Sequence, residues 1–267
     1  MSSERTSSAS LAKLSREISP RDREIIQMVA DLRLMSGHQL TELHFVGEGL
    51  RSNDAARRSA RRVLQDLGEQ RLLARITRRI GGLRAGSESF IYAIGPVGQR
   101  LLNLDGPRRR NFEPSMTFAE HTLAIADHVV AILSGSRNGL FDVIGYEPEP
   151  KSWREFATIS GSKLLRPDLF AALAVDEYEF RWFIEVDLGT EHQPALLRKC
   201  HTYQSYFEAG IEQARHGVFP RVCWSMNDAA RAERLRDAIA KDKSLTNELF
   251  VCIEQRDLVA TLSKGLP

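Results

Sequence analysis

The sequence predicts a mixed α/β (α+β) protein with a helical N-terminal domain and a C-terminal α/β sandwich. Its 267 residues exceed the usual length of one domain, and its apolar and charged fractions, 42% and 27%, are ordinary for a globular protein. The N-terminal half shows helical apolar spacing followed by two short strand-like runs. The C-terminal half alternates helices with longer apolar runs of strand length, which is the order expected of an α/β sandwich.

The chain begins with a polar segment. Residues 1–18 are rich in serine and show no apolar periodicity, so they predict a flexible N-terminal arm. Order is expected from Ser19, which is a good N-cap, and from Pro20, which suits the first position of a helix. The apolar stripe expected on this first helix consists of Ile25, Ile26, Val29 and Leu32.

Two further helices are predicted before the first strand-like run. A short helix fits residues 36–45, with Leu40 and Leu43 facing the core. A longer helix begins at the capping residues 52–54 and ends near Leu67.

A two-stranded wing is predicted after these helices. The runs 72–80 and 89–94 have the composition of strands and are joined by a glycine-rich segment. Three helices followed by such a wing are the pattern of a winged helix-turn-helix domain, predicted over residues 19–103. Its third helix is expected to enter a major groove while the wing follows the phosphate backbone. The expected DNA-binding residues are Arg57, Arg58, Arg61, Arg62, Arg75, Arg78, Arg79 and Arg84.

Positive charge is concentrated in this domain. Residues 51–110 contain fourteen arginines, no lysine and five acidic residues, whereas residues 111–267 contain 17 basic and 23 acidic residues. Such asymmetry is typical of a module that binds a polyanion, and arginine favours bidentate contacts with phosphate or guanine. Double-stranded DNA is therefore the expected partner. The alternative is a protein-binding winged helix with a solvated charged face.

A linker is predicted over residues 104–115, where Gly106-Pro107 precedes three consecutive arginines. These arginines suit either phosphate contacts or a solvated hinge. The second domain is predicted over residues 116–267 and begins with a helix at Thr117.

Three carboxylates stand on apolar strands of this second domain. Asp168 opens one strand-like run, while Glu185 and Asp187 share one face of the next because side chains alternate along a strand. If the two strands are neighbours, the carboxylates converge, and they raise one another's pKa unless a cation shares them. Mg2+ or Mn2+ is the expected cation, and Lys199 on the following helix could reach back over the site.

The same residues resemble a family pattern. Pro167-Asp168 followed by Glu185-x-Asp187 resembles the PD-(D/E)xK core of restriction-endonuclease-like proteins, with Asp187 where that motif has lysine. The runs RPDLF and IEVDLGTE are similar to the replication-relaxation family of plasmid and mobile-element proteins, over roughly residues 19–259. The resemblance implies a restriction-endonuclease-like α/β sandwich, with Asp168, Glu185, Asp187 and Lys199 as catalytic residues and the three carboxylates as metal ligands.

The charge distribution predicts a DNA-binding protein, and a cytoplasmic location is expected. The resemblance implies that it acts in replication, DNA relaxation or mobilisation of a plasmid or mobile element. Metal-dependent nicking of DNA is one expectation for the second domain. The alternative is a non-catalytic regulator or accessory factor with a degenerate nuclease-like domain, and Tyr203 suits packing or phosphate contact better than nucleophilic attack. Plasmid replication or conjugation proteins and a second copy of the chain are further candidate partners, and no membrane contact is expected.

The three cysteines, Cys200, Cys223 and Cys252, lack the spacing of a zinc site and are expected to be buried thiols.

Overall fold

The computed structural model describes residues 7–46, 53–76, 90–103, 114–158 and 161–264. It confirms a mixed α/β protein. The chain divides into two compact units, 1–130 and 131–267, and the division falls within one long helix. The linker predicted over 104–115 lies almost entirely outside the described residues.

The first unit consists mainly of helices. Their bounds are α1 (Ser8–Glu17), α2 (Pro20–Leu32), α3 (Gly37–Phe45), α4 (Asn53–Glu69), α5 (Pro96–Leu101) and the first part of α6 (Met116–Arg137). The predicted start of α2 is confirmed, since the Ser19 side chain accepts a hydrogen bond from the Asp22 amide and Pro20 opens the helix. The predicted apolar stripe of α2 is buried.

Helix α1 lies within the segment that was predicted to be a flexible N-terminal arm. Ser7 caps the helix by accepting from the amide of Ser10. Leu11, Leu14 and Ile18 are each half-buried. Their spacing of three and four residues is helical, so the arm does contain an apolar stripe, although a short one.

A small antiparallel sheet completes the first unit. Its strands are β1 (Met35–Ser36), β2 (Leu73–Ile76) and β3 (Ile91–Ile94), in the order β1-β3-β2. Two glycines let α5 lie close to the backbone that leads into β2. A Cβ atom on Gly95 would lie 2.2 Å from the carbonyl oxygen of Arg71, and one on Gly98 would lie 2.2 Å from that of Leu72.

The second unit is built on a five-stranded mixed sheet and a separate hairpin. The strands are β4 (Asp142–Pro148), β5 (Arg154–Thr158), β6 (Gly161–Leu165), β7 (Leu169–Val175), β8 (Tyr178–Asp187), β9 (Arg221–Met226) and β10 (Phe250–Glu254). The large sheet has the order β10-β9-β8-β7-β4, while β5 and β6 pair with each other. Strands β8, β9 and β10 are parallel, and β7 is antiparallel to both β4 and β8.

Helices connect and cover the parallel strands. They are α7 (Gln193–Glu208), α8 (Ile211–His216), α9 (Ala229–Lys241) and α10 (Leu258–Ser263), with short 3-10 turns at Asn247–Leu249 and Gln255–Asp257. One face of the sheet packs against α7 and α9 in a core that includes Phe183, Tyr203, Tyr206 and Leu235. The three cysteines are free and buried, as predicted.

Helix α6 is long and apolar enough to cross a membrane by length and composition. However, 44% of its most apolar window is buried inside the fold. Such burial is typical of a core helix in a globular protein.

Candidate functional site

The candidate site lies where β7 begins and β8 ends. These strands are antiparallel neighbours, and Leu169 pairs with Ile184. One further step in this register places Asp168 opposite Glu185. Phe183, Glu185 and Asp187 share one face of β8 because side chains alternate along a strand. The sheet thus brings together the carboxylates that the sequence singled out, whose catalytic and metal-binding roles stay predictions.

Glu185 is the most deeply buried of these carboxylates, with 1% of its surface exposed. Its Oε2 accepts a hydrogen bond from the ammonium of Lys199, and its Oε1 accepts one from the hydroxyl of Tyr203. Burial raises the pKa of Glu185 to about 8 despite these two donors, and the nearby charge of Asp168 contributes to the rise.

Lys199 is the cation at the centre of the site. Its Nζ lies 4.0 Å from Asp168 Oδ1 and donates to Glu185. Burial alone would lower the pKa of Lys199, but the two carboxylates raise it above its ordinary value. Lys199 therefore keeps its positive charge at neutral pH. The other oxygen of Asp168, Oδ2, accepts from the amide of Val186 at 2.8 Å.

Tyr203 lies four residues after Lys199 on α7, so both side chains reach Glu185 from one helix face. The tyrosine is fully buried, and burial together with Glu185 raises its pKa. A neutral, buried hydroxyl that already donates to a carboxylate is not available as a nucleophile. The packing role expected for Tyr203 fits this geometry.

Asp187 has a cationic partner that the sequence did not reveal. Arg231 on α9 donates from Nε to Oδ2 and from Nη2 to Oδ1, the latter at 3.1 Å. The amide of Gly189 also donates to Oδ1, at 3.0 Å. One physical argument could have pointed to such a partner, because a buried carboxylate at the end of a strand requires a compensating cation.

The described side chains do not fit a divalent ion shared by the three carboxylates. Among the described residues, no group of three acidic, histidine or cysteine side chains is placed to hold a metal. Both oxygens of Glu185 and both oxygens of Asp187 accept hydrogen bonds from protein donors. Lys199 and Arg231 thus supply the positive charge that the sequence assigned to Mg2+ or Mn2+, and metal binding stays a prediction from the resemblance.

A second buried charge network lies on the same helix. Tyr206 donates to Glu212 Oε1 at 2.6 Å, and Glu212 is 3% exposed. Arg154, on β5, lies 3.3 Å from Glu212 and 2.8 Å from Glu147. Tyr206 lies three residues after Tyr203 on α7, and the sequence gave no sign that it would meet these carboxylates.

The first unit presents the arginines predicted to bind DNA on α4. Arg57, Arg58, Arg61 and Arg62 are all exposed, while the opposite side of the helix is buried through Ala56, Ala60, Val63, Leu64 and Leu67. Arg75 is exposed on β2, where it stacks on the ring of Phe90. Arg78, Arg79 and Arg84 lie outside the described residues.

Comparison with known proteins gives one match. A family model described as Replication-relaxation matches residues 26–222, which is most of the chain and includes both α4 and the carboxylate site. No curated protein and no solved structure matches the chain.

Proposed function

Because the chain belongs to the replication-relaxation family, we propose that it is a DNA-binding protein acting in replication or DNA relaxation of a plasmid or other mobile element. In this proposal the first unit binds duplex DNA through α4. The second unit is an endonuclease-like domain that has lost catalysis and serves as an accessory module. The protein acts in the cytoplasm, where plasmid replication or conjugation proteins and a second copy of the chain are candidate partners.

The topology of the first unit supports a winged helix. Its order is α2-β1-α3-α4-β2-β3, and β3 lies between β1 and β2 in the sheet. Three helices followed by a two-stranded antiparallel wing form the arrangement in which the third helix enters a major groove. Helix α4 holds the position of that third helix.

The observation that carries the proposal is the division of α4 into two faces. Four arginines lie on its exposed side, and Arg57 has a weak surface contact with Asp54 at 3.9 Å. Like charges at spacings of one and four residues repel one another along a helix. Phosphates of DNA would remove that repulsion, and the four planar guanidinium groups suit them.

Salt dependence of DNA affinity tests this proposal. Each phosphate contact contributes about 0.9 to the slope of log affinity against log salt concentration. Replacing the four arginines of α4 with glutamine should therefore reduce the slope by about 3 to 4. The matched control replaces four exposed arginines of the second unit, Arg198, Arg215, Arg234 and Arg256. Equal slopes for the wild type and the α4 variant, or no binding by the wild type, would refute the proposal.

The charge pairs of the second unit support a non-catalytic role. Glu185 and Asp187, which would hold a metal in an active enzyme, are each held by a cationic side chain and a second protein donor. A divalent ion would have to displace Lys199 from Glu185 and Arg231 from Asp187. Breaking the buried ion pair of Arg231 and Asp187 is costly, so this arrangement favours an accessory module over a nuclease.

Metal-dependent nicking is a second candidate, favoured by the meeting of Asp168, Glu185 and Lys199. A supercoiled plasmid incubated with Mg2+ or Mn2+ distinguishes the two functions. The accessory module should bind the plasmid without nicking it. Nicking by the wild type that is lost in Asp168→Ala and Glu185→Ala, but kept in the exposed control Asp237→Ala, would establish the enzyme instead.

A further inference from the structure

An exposed phenylalanine supports an exposed arginine on the small sheet of the first unit. Phe90 precedes β3, and 42% of its surface is exposed. The guanidinium carbon of Arg75, on β2, lies 3.0 Å from the centroid of the Phe90 ring. A cation in this position is attracted by the negative face of the ring, so the two side chains form a stacked unit. We call them the Arg75–Phe90 pair.

The charge of Arg75 has no protein acceptor in the described part of the chain, where its guanidinium makes neither an ion pair nor a hydrogen bond. Arg21 lies over the ring of Phe45 in a similar way, but it also donates to the carboxylate of Asp22. The stack on Phe45 therefore belongs to a local ion pair. The N–H groups of Arg75 are instead left for an acceptor from outside the first unit.

The Arg75–Phe90 pair lies on the face of the sheet that packs against α3 and α4. Arg75 pairs with Tyr92 in the antiparallel register, and Phe90 shares their face because side chains alternate along a strand. The Tyr92 ring approaches α3 and α4, since a Cβ on Gly37 would lie 3.6 Å from Tyr92 Cε2 and 3.9 Å from Leu64 Cδ1. The opposite face of the sheet packs against α6. The pair therefore flanks the helix that carries the four exposed arginines.

The backbone fixes the position of Phe90 independently of its ring. The amide of Gly37, at the start of α3, donates to the carbonyl of Phe90 at 2.8 Å. The next residue, Ile91, pairs with both Ser36 and Ile76 in the sheet. Because the ring starts from a fixed point, stacking on it restricts Arg75 to few rotamers. Less conformational entropy is then lost when the guanidinium binds a ligand.

A backbone phosphate of DNA is the ligand that this geometry suits. A guanidinium presents parallel N–H groups that match the oxygens of a phosphate, and stacking on its flat face leaves those groups exposed at its edge. The neighbouring α4 already offers its arginines to a polyanion. A base that stacked on the same ring face would have to displace Arg75, so phosphate contact is favoured over base stacking.

We propose that Arg75 binds one backbone phosphate of the duplex that α4 engages, and that Phe90 is a positioning residue which holds Arg75 in the orientation for this contact. The proposal rests on the DNA-binding function proposed above. Phe90 itself does not touch the DNA, and its contribution is made entirely through Arg75.

The test is a set of salt titrations of duplex binding by the full chain, followed by fluorescence anisotropy. Arg75→Gln should lower the salt slope by about 0.9, the contribution of one phosphate. Phe90→Leu should keep the wild-type slope, because the charge is still present, but should weaken binding by about 2- to 10-fold, since Arg75 must then be ordered on binding. Phe90→Tyr keeps the aromatic face and should stay within about twofold of the wild type.

A double-mutant cycle distinguishes positioning from a structural role. In the Arg75→Gln background, Phe90→Leu should have no further effect on affinity, because the side chain that it positions is gone. An equal loss in both backgrounds would mean that Phe90 supports the fold or contacts DNA directly, and the positioning role would be wrong. The matched control is Tyr178→Leu, an exposed aromatic of the second unit, which should bind as the wild type does.

The outcomes separate this inference from the proposed function. If the α4 variant loses slope while Arg75→Gln keeps the wild-type slope and affinity, the phosphate contact is overturned and the DNA-binding function stands. Failure of Phe90→Tyr to restore the affinity lost in Phe90→Leu would also overturn the positioning role. If the wild type binds no duplex, the proposed function fails, and the inference fails with it.

Discussion

Replacing Glu185 with glutamine tests whether burial or the nearby Lys199 has the larger effect on the pKa of Glu185. Burial raises the pKa of Glu185 to about 8 from an ordinary value of 4.5, although Lys199 opposes the rise. Glutamine keeps the shape of the side chain and one accepting oxygen for Lys199, and its NH2 group can donate to the hydroxyl oxygen of Tyr203. It does not titrate, so the difference in stability between the two proteins isolates the ionisation of Glu185.

The sign of the expected pH dependence follows from the raised pKa. Below pH 4.5 the carboxyl is protonated in both the folded and the unfolded chain, so it contributes no pH dependence. Between 4.5 and about 8 the unfolded chain releases the proton while the folded chain keeps it. The free energy of unfolding of the wild type should then fall by up to about 1.4 kcal/mol per pH unit relative to the variant.

Urea denaturation at a series of pH values measures this difference. From about pH 5 to about pH 7.5 the variant should gain roughly 3 kcal/mol relative to the wild type. The exposed substitution Glu233→Gln is the control, and its difference from the wild type should stay flat. A flat difference for Glu185→Gln, or one that favours the wild type as the pH rises, would refute the reasoning. Either result would show that Lys199 and Tyr203 overcome the cost of burial.

Three further predictions concern single side chains and can be checked by the same denaturation experiment. Lys199→Met should destabilise the fold by about 1.5 to 3 kcal/mol at neutral pH and raise the pKa of Glu185 further, since it removes a charged hydrogen bond; no change in either quantity would contradict the site geometry. Tyr203→Phe should cost about 1 to 2 kcal/mol, because Glu185 loses its second donor, and a neutral effect would contradict that bond. Gly98→Ala should destabilise the fold by more than about 2 kcal/mol, because the new Cβ would lie 2.2 Å from a backbone oxygen. Gly68→Ala on α4 should instead stabilise the fold by up to about 1 kcal/mol, because no atom lies within 4 Å of its new Cβ.

The central geometry of the carboxylate site could be predicted because it depends on local rules. Alternation along β8 places Glu185 and Asp187 on one face, and the four-residue spacing on α7 aligns Lys199 with Tyr203. A strand pair joined by a two-residue turn brings Asp168 beside Glu185. Each of these steps uses residues that are close in sequence.

The compensation of charge could not be predicted, because it depends on long-range topology. Arg231 reaches Asp187 across 44 residues of sequence, since β9 is parallel to β8 and α9 follows it. Arg154 similarly meets Glu212 across 58 residues. A divalent ion and two distant basic side chains satisfy the same electrostatic requirement, so the sequence alone could not choose between them.

Helix α1 was not predicted, for a different reason. Its apolar stripe consists of Leu11, Leu14 and Ile18 within a serine-rich segment, and composition outweighed this short periodicity. Helix α1 nevertheless forms, with Ser7 as its cap.

Helix α7 takes part in both buried networks, which limits how its length can change. Tyr203 donates to Glu185 and Tyr206 donates to Glu212, three residues later on the same helix. An insertion of one residue between them would rotate one hydroxyl by about 100° relative to the other, so only one of the two bonds could survive. Homologues with a functional site of this kind should therefore tolerate substitutions in this turn more readily than insertions or deletions.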